Sequence, residues 1–282
     1  MAELDNLYKL HIVILTKNNV EYVRTCVDSI IEKKLYTDDH FENYQFYIGD
    51  TGSSDYGREK LKEYYDKVTR SINSAKIQSI LFDGFHYSKV NNHIAQNELD
   101  LDTSKTNLIL FLNNDVKMLS DCVTQLVSAY HENKEDAGAV GCKLLFEDGS
   151  LQHAGQCIRA DGVPTHRGLG QAPTKYSTTD IVLGNTGAVL LISLDLFNTI
   201  GGFDESFEHY FQDVHLCMKC IDEDKDNIYV GKAVAYHYEH KTHTPTDMQK
   251  LGERCTKDLN GFLKTYIKER QEKFKDFTIL KP

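Results

Sequence analysis

Apolar and polar residues alternate in blocks along the first half of the chain, and each apolar block has the length of one buried strand. Four such blocks cover residues 10–15, 44–48, 77–82 and 108–112. Between them, apolar residues recur at helical spacing over residues 22–31, 56–72 and 88–99. Strands that alternate with helices predict βαβ units and a mostly parallel sheet, so the chain is predicted to be of the α/β class.

The strand predicted over residues 108–112 ends in an abrupt change from apolar to polar residues. Asn113, Asn114 and Asp115 follow it directly. Open α/β sheets bind ligands at the carboxyl ends of their strands, and a carboxylate there can hold a hard cation that binds phosphate oxygens. The same residue types favour turns, so this stretch alone leaves a ligand site and a simple turn as alternatives.

The second half of the chain has a less regular pattern. Strands are predicted over residues 139–146, 188–192, 228–230 and 233–235, and helices just before Gly201 and over residues 210–221. Residues 161–180 are rich in Gly, Pro, Thr and Ser and are predicted as a long loop, which is often a functional or mobile kind of segment. We predict one domain over residues 1–245 and a C-terminal helical extension over residues 246–282.

Composition and charge narrow the class of protein. The 282 residues carry a formal net charge of −10, which argues against binding to nucleic acid. No apolar run approaches the length that crosses a bilayer, and the first residues lack the pattern of a signal peptide. We therefore expect a cytoplasmic protein, with peripheral contact at the inner face of the membrane as an alternative. The seven cysteines fit reduced thiols, and the lone Cys217 and Cys220 pair fits buried thiols better than a zinc or redox site.

Five short motifs occur in order along residues 8–245. They are VILTKNN at residues 13–19, GDTGSSD at 49–55, NND at 113–115, GGFDE at 201–205 with QDVHLC at 212–217, and His237. They resemble the nucleotide-binding strand, the D-x-x-S-x-D loop, the metal-binding D-x-D motif, the base-carrying segment and the late metal-binding histidine of family 2 glycosyltransferases. The resemblance implies the GT-A fold, with a Rossmann-like, mostly parallel sheet flanked by helices, as in bacterial polysaccharide and rhamnosyl-type transferases.

The resemblance also implies a reaction. It is the inverting, metal-dependent transfer of a sugar from a nucleotide-sugar donor to a hydroxyl of a glycan or lipid-linked acceptor, in the synthesis of a surface polysaccharide. UDP is the first expectation for the donor, with dTDP and GDP as alternatives, and Mn²⁺ or Mg²⁺ would neutralise the diphosphate. A non-catalytic nucleotide- or glycan-binding module stays open. A sugar-phosphate nucleotidyltransferase would need a glycine-rich loop that residues 16–19 lack.

Site residues follow from the motifs. The predicted metal ligands are Asp115 and His237. The predicted donor-binding residues are Thr16, Asn18, Asp50, Asn113 and Asn114. The second acid of the GDTGSSD loop, Asp55, is either part of the site or the N-cap of the following helix.

Asp213 is the predicted base that takes the proton of the acceptor hydroxyl. The alternatives are that Asp213 caps its helix, or that Asp204 or Glu205 is the base. His215 stands where the family commonly has an acid, and it is either an acceptor contact or a solvated helix position. Asn113 and Asn114 replace acids of the metal motif, which leaves one carboxylate there.

Several further residues are weaker candidates. His153 and His166 are candidates for acceptor contact, and His240 and His243 for contact with the diphosphate. Aromatic residues of the C-terminal extension are expected to pack against the domain, with a membrane-surface or homodimer contact as the alternative.

Overall fold

The computed structural model of the chain describes residues 2–34, 41–71, 76–207, 210–239, 255–262, 274 and 277–279. Its helices are α1 (Ala2–Leu7), α2 (Val20–Lys34), α3 (Asp55–Ser71), α4 (Tyr87–Asn97), α5 (Cys122–Glu132), α6 (Leu194–Thr199) and α7 (Gln212–Asp222). Its strands are β1 (Tyr8–Thr16), β2 (Tyr44–Asp50), β3 (Lys76–Leu81), β4 (Thr106–Asn113), β5 (Val116–Met118), β6 (Ala137–Leu145), β7 (Leu151–His153), β8 (Gln156–Arg159), β9 (Pro164–His166), β10 (Thr179–Val182), β11 (Val189–Ser193), β12 (Asp226–His237) and β13 (Thr278–Ile279). Residues 255–262 are also helical.

One large sheet of ten strands organises the described chain. Its order is β10-β12-β6-β11-β4-β1-β2-β3, with β5 paired to β12 and β7 paired to β6. Strands β4, β1, β2 and β3 are parallel to one another, whereas β11 runs antiparallel to both of its neighbours. The α/β class and the mostly parallel sheet predicted from the sequence are confirmed. A second sheet of three strands has the order β13-β8-β9.

Strand β4 is buried on both faces, as its continuous apolar run predicts. Because successive side chains of a strand point to opposite faces, Leu108, Leu110 and Leu112 pack into a core shared with α2, α3 and α5. Ile109 and Phe111 point the other way, into a core shared with α4, α6 and α7. Each fully buried side chain of this size contributes about 1.5–3 kcal/mol relative to exposure, so β4 anchors both layers of helices.

The structure contains elements that the sequence pattern did not predict. Strand β5 and helix α5 occupy a region for which no element was predicted. Helix α5 nevertheless has its signals in the sequence, because Asp121 accepts a hydrogen bond from the Thr124 N–H at 3.2 Å and Leu126 and Val127 are fully buried. The two short strands predicted over residues 228–235 are one strand, β12, whose register against β6 shifts between Val230 and Val234.

The stretch predicted as a long loop, residues 161–180, contains β9 and the start of β10. Its backbone is tied to the sheet by Lys143, whose side chain is 3% exposed and donates to the carbonyls of Pro173 and Lys175, each at 2.8 Å. Arg167 adds an ion pair to Asp180 at 3.0 Å. Two cations therefore order this stretch, and a search for apolar periodicity does not find such tethers.

The described part of the C-terminal extension packs against the domain. Phe262 and Phe274 are buried with Val214 and Met218 of α7, and Asp258 accepts a hydrogen bond from the Tyr210 N–H at 3.0 Å. The predicted helix is present at residues 255–262, while Thr278–Ile279 form a strand that pairs with β8. Residues 246–254, 263–273, 275–276 and 280–282 of the predicted extension, and His240 and His243, lie outside the described residues.

Two further features predicted from the sequence are the membrane-spanning potential of the helices and the state of the cysteine pair. No helix within the described ranges is both long enough and apolar enough to cross a bilayer. Cys217 and Cys220 are buried free thiols in α7, which agrees with the prediction of structural rather than metal-binding cysteines.

The side chain of Asn227 joins three elements in the core and gives a test of the fold. It is fully buried, accepts from the Ala139 N–H at 2.9 Å and donates to the carbonyls of Leu183 and Cys217, each at 2.8 Å. Asn227→Ala leaves three buried backbone groups unpaired, at about 1–3 kcal/mol each before relaxation. We expect urea denaturation to show a loss of at least about 3 kcal/mol in the free energy of unfolding.

The matched control is Asn97→Ala, at an exposed asparagine near the end of α4. It should change the free energy of unfolding by no more than about 0.5 kcal/mol. Equal effects of the two substitutions would contradict the assigned role of Asn227.

Candidate active site

Polar residues of three strands meet at one edge of the sheet. In the register of the parallel strands, Thr16 at the end of β1 is level with Asp50 at the end of β2. Leu15 is level with Asn113 at the end of β4. The loops after β1, β2 and β4 therefore share one sheet edge, and this carboxyl edge is where open α/β sheets bind ligands.

The loops after β1 and β2 are held together by their own polar side chains. Asn18, in the left-handed conformation with φ of 58°, accepts from the Ser54 N–H at 2.7 Å. Asp50 is 2% exposed and accepts from the N–H groups of Gly52 and Ser53 at 3.1 and 2.7 Å. Thr16 accepts from the side-chain amide of Asn114 at 3.1 Å. The structure thus brings together four of the predicted donor-binding residues: Thr16, Asn18, Asp50 and Asn114. Their hydrogen bonds hold the loops in shape.

Helix α3 begins one residue after its cap. The Ser54 hydroxyl accepts from the Gly57 N–H at 3.1 Å, while the Asp55 side chain is 99% exposed and pairs with Arg58. The alternative that Asp55 is the N-cap is therefore wrong, because Ser54 occupies that position.

The two predicted metal ligands lie face to face. Strand β5 pairs antiparallel with β12, so that Val116 is opposite His237, and the Tyr238 N–H donates to the Asp115 carbonyl at 3.0 Å. This pairing places Nε2 of His237 3.3 Å from Oδ1 of Asp115. Nδ2 of Asn113 lies 3.3 Å from the same nitrogen. The middle residue of the predicted triplet, Asn114, instead faces Thr16.

The donor set at this position fits a divalent cation in part. A carboxylate oxygen and an imidazole nitrogen suit Mn²⁺, and both side chains are held by the pairing of β5 with β12. Within the described ranges, no group of three or more His, Cys, Asp or Glu side chains could hold a metal. The protein here supplies two ligands, and water and phosphate oxygens would have to supply the others.

Gln152 is a site residue that the sequence analysis did not single out. The segment around it was expected on the acceptor side, but its side chain is 2% exposed and its Oε1 lies 2.8 Å from Nδ1 of His237. No local pattern marks this contact, because β7 and the end of β12 are 85 residues apart along the chain.

Asp213 lies in the first turn of α7, and both of its carboxylate oxygens accept backbone hydrogen bonds. Oδ2 accepts from the Gly187 N–H at 2.9 Å and Oδ1 from the Val214 N–H at 2.7 Å. These two backbone donors hold the carboxylate in one position at the start of the helix. Burial and then the charge of Asp213 raise the pKa of Tyr87, whose hydroxyl donates to the Gly187 carbonyl at 2.8 Å. Asp213 does not act as the N-cap, a position held by Phe211.

One dipeptide connects the predicted base to the predicted metal motif. Gly187 donates its N–H to Asp213, and the next residue, Ala188, accepts from the Asn113 N–H at 3.0 Å. A Cβ on Gly187 would lie 2.6 Å from the Tyr87 hydroxyl and 3.5 Å from Cβ of Asp213. Glycine at this position allows α4, α7 and the end of β4 to meet.

Two histidines proposed for the acceptor side form a pair beside these groups. Nδ1 of His153 lies 3.3 Å from Nδ1 of His166, and the two rings meet edge to face. Burial, followed by the neighbouring His166, lowers the pKa of His153 well below its usual value. Burial also lowers the pKa of His166, while the charge of Asp213 opposes that shift. The pair is therefore neutral near pH 7, and His153 is fully buried.

The other candidates in the base segment, His215, Asp204 and Glu205, contact neighbouring groups of the protein. His215 is 2% exposed, with Nδ1 3.8 Å from Oδ2 of Asp204, so the alternative of a solvated helix position is wrong. Asp204 also accepts from the Ser206 N–H at 2.8 Å, as a turn-forming residue does. Glu205 lies with Oε1 3.1 Å from the side-chain amide of Asn92.

Comparison with known proteins identifies the family to which the chain belongs. The family model described as "Glycosyl transferase family 2" matches residues 11–189. The chain is 29% identical over 220 residues to the O-antigen biosynthesis protein RfbC of Myxococcus xanthus, a match that covers 75% of this chain and 16% of RfbC. It is 26% identical over 270 residues to the uncharacterized protein y4gI of Sinorhizobium fredii, covering 92% of this chain and 27% of y4gI. The chain thus spans less than a third of the length of either relative.

Solved structures share the fold. A crystal structure of GalNAc-T7 with UDP, GalNAc and Mn²⁺ matches 95% of this chain and 50% of that one, with a TM-score of 0.65 and 14% identity. The mannosyltransferase PcManGT from Pyrobaculum calidifontis, in complex with GDP-Man and Mn²⁺, matches 91% of this chain and 64% of that one, with a TM-score of 0.61 and 10% identity. The fold is therefore that of GT-A glycosyltransferases. With the family model matched over most of the sheet and its carboxyl edge, the chain belongs to glycosyl transferase family 2.

Proposed function

We propose that the protein is an inverting, metal-dependent glycosyltransferase that moves a sugar from a nucleotide-sugar donor to a hydroxyl of a glycan or lipid-linked acceptor. The observation that carries the proposal is the meeting of three groups at one sheet edge. Asp115 and His237 face each other across 3.3 Å, and the carboxylate of Asp213 is held by the Gly187 N–H next to the residue that binds Asn113.

The donor would lie over the loops after β1 and β2, with its diphosphate near the end of β4. Thr16 and Asn18 frame the base pocket, Asp50 acts through the loop that it orders, and Asn113 and Asn114 face the ribose and the donor sugar. A bound Mn²⁺ or Mg²⁺ would stabilise the leaving diphosphate as a Lewis acid, with Asp115 and His237 as its protein ligands. UDP is the first nucleotide to test, with GDP and dTDP next, since the two solved structures of similar fold contain UDP and GDP-Man.

Asp213 takes the proton of the attacking acceptor hydroxyl. Its carboxylate is fixed by two backbone donors, and a base positioned in this way typically contributes 10²–10⁴-fold to a rate. Direct attack on the donor, with the base on the acceptor, inverts the configuration at the anomeric carbon. The similarity to an O-antigen biosynthesis protein supports a role in the synthesis of a surface polysaccharide, carried out in the cytoplasm.

A non-catalytic nucleotide- or glycan-binding module is the second candidate, because the metal motif offers a single carboxylate. The experiment that separates the two is incubation with UDP-, GDP- and dTDP-sugars in Mn²⁺, with release of the nucleoside diphosphate measured over time. An enzyme releases it from at least one donor. Binding without release from every donor would favour the module.

One prediction from the proposed function concerns Asp115. Asp115→Ala removes the one carboxylate of the metal motif, and a Lewis acid supplies several kcal/mol of transition-state stabilisation. We expect Mn²⁺-dependent release of the nucleoside diphosphate to fall by about 10²-fold or more, with an unchanged thermal unfolding curve. Asp195→Ala, at an exposed carboxylate of α6, is the control and should behave as the parent. Parent-like turnover of Asp115→Ala in chelated buffer would remove the metal assignment.

The second prediction concerns Asp213. Asp213→Asn keeps the size of the side chain but cannot accept the proton, so kcat for transfer should fall by about 10²–10⁴-fold. The dissociation constant of the donor, measured calorimetrically, should stay within a few-fold of the parent, because the residue addresses the acceptor. Glu223→Gln, at the exposed end of the same helix, is the control.

Two results would contradict the assignment of Asp213 as the base. Transfer at the parent rate by Asp213→Asn would move the role to Asp204, Glu205 or His215. A loss of thermal stability that accounts for the lost activity would instead assign Asp213 to the structure of the helix terminus.

A further inference from the structure

Gln152 lies where strand β7 passes the end of β12. It is 2% exposed, so its amide has no access to bulk water. Three polar atoms surround it within hydrogen-bond distance. Its Oε1 is 2.8 Å from Nδ1 of His237, and its Nε2 is 3.2 Å from Oε2 of Glu239 and 3.4 Å from the carbonyl oxygen of His237.

The partners of Nε2 fix the orientation of the amide. A carboxylate and a backbone carbonyl accept hydrogen bonds and cannot donate them. The NH₂ group of Gln152 must therefore face Glu239 and the His237 carbonyl. The opposite orientation would place the amide oxygen against two acceptors in a buried position, which is costly. The amide oxygen consequently faces the ring of His237.

The orientation of the amide in turn fixes the tautomer of the ring. The amide oxygen of Gln152 only accepts, so Nδ1 of His237 carries the proton at 2.8 Å from it. In the neutral ring, Nε2 then holds a lone pair. The side-chain amide of Asn113 lies 3.3 Å from Nε2 and is in position to donate to that lone pair, which agrees with the assignment.

We propose that Gln152, held by Glu239, is a positioning residue that fixes the Nδ1–H tautomer of His237 and presents the Nε2 lone pair to a divalent cation beside Asp115. The proposal rests on the metal site of the proposed function. A lone pair on Nε2 and a carboxylate oxygen 3.3 Å away have no proton between them, and a cation that displaces the Asn113 amide from Nε2 would bind both. Replacing a residue that hydrogen-bonds the second ring nitrogen of a metal-binding histidine typically lowers metal affinity 10–100-fold.

The tautomer is measured without metal or substrate. In the full-length, metal-free protein, ¹⁵N–¹H correlation spectra of the histidine rings report which nitrogen carries the proton, and His237→Gln identifies the signals of His237. We expect the neutral ring to carry its proton on Nδ1 and none on Nε2. An Nε2–H ring in the parent protein would overturn the proposal.

Variants then test the role of Gln152. Gln152→Leu removes the acceptor at Nδ1, so the proton should move to Nε2, where the Asp115 carboxylate accepts it. Mn²⁺ affinity, measured with Mn²⁺ alone by electron paramagnetic resonance of the free ion, should fall by about 10–100-fold. Gln156→Leu is the matched control. Gln156 is a buried glutamine whose Oε1 has no hydrogen-bond partner among the described residues. Its replacement should change neither the tautomer of His237 nor the Mn²⁺ affinity.

A reciprocal exchange separates positioning from packing. The double variant Gln152→Glu, Glu239→Gln keeps an acceptor at Nδ1 of His237 and a donor between the two exchanged side chains. We expect it to restore the Nδ1–H tautomer and to bring Mn²⁺ affinity within a few-fold of the parent. Retention of the Nδ1–H ring and of parent Mn²⁺ affinity in Gln152→Leu would overturn the proposal.

Failure of the proposed function would look different. A parent protein with the Nδ1–H ring that binds no Mn²⁺, alone or with UDP, would remove the metal site while the ring measurement upheld the hydrogen-bond chain from Glu239 to His237. A parent protein that binds Mn²⁺ with an Nε2–H ring in its metal-free form would keep the metal site and remove the role of Gln152.

Discussion

The burial of strand β4 between β1 and β11 is the constraint on which the site depends. Because β4 is parallel to β1, their carboxyl ends lie at the same sheet edge, and Asn113 comes level with Leu15. Because β11 is antiparallel to β4, its beginning lies at that same edge, where Val189 pairs with Leu112. The residues just before β11 therefore reach both the end of β4 and the first turn of α7. A parallel strand in the place of β11 would carry this connection to the opposite edge and separate the predicted base from the predicted metal motif.

The polar residues at this edge divide into two groups by what they contact. Asn18 and Asp50 accept hydrogen bonds from backbone N–H groups of the loop after β2, so the folded chain satisfies them and they fix the shape of the loops where we propose that the donor binds. Asp115 and His237 instead face each other, and the hydrogen bonds from β12 and β7 hold them in that arrangement. Asp213 does not fit this division, because its carboxylate is bound by backbone N–H groups on both sides and it is also the proposed base.

Local pattern was sufficient for the parallel half of the sheet and insufficient for the contacts that complete the site. The apolar run of β4 is enough to predict a buried strand, and the polar residues after it are enough to predict a ligand-binding edge. Neither prediction depends on how the rest of the chain folds. Helix α5 also has local signals, from Asp121 to Val127, although no helix was predicted there. The contact of Gln152 with His237 has no local signal, because it depends on β7 pairing with β6 beside β12. The tether from Lys143 to residues 173–177 is similarly invisible, since a lysine in a buried strand looks like an interruption of the pattern.

The number of protein ligands sets how metal and donor depend on each other. Asp115 and His237 offer one carboxylate and one imidazole, whereas Mn²⁺ and Mg²⁺ favour octahedral sites of about six ligands. No further His, Cys, Asp or Glu completes the set within the ranges that the structure describes. If these two residues hold the cation, water and diphosphate oxygens fill the other positions, so the protein alone binds the ion weakly. Binding linkage is reciprocal, so the factor by which the donor raises cation affinity equals the factor by which the cation raises donor affinity. A site with Asn113 and Asn114 in place of acids therefore couples the two ligands more tightly than a site with three carboxylates, which could hold the cation before the donor arrives.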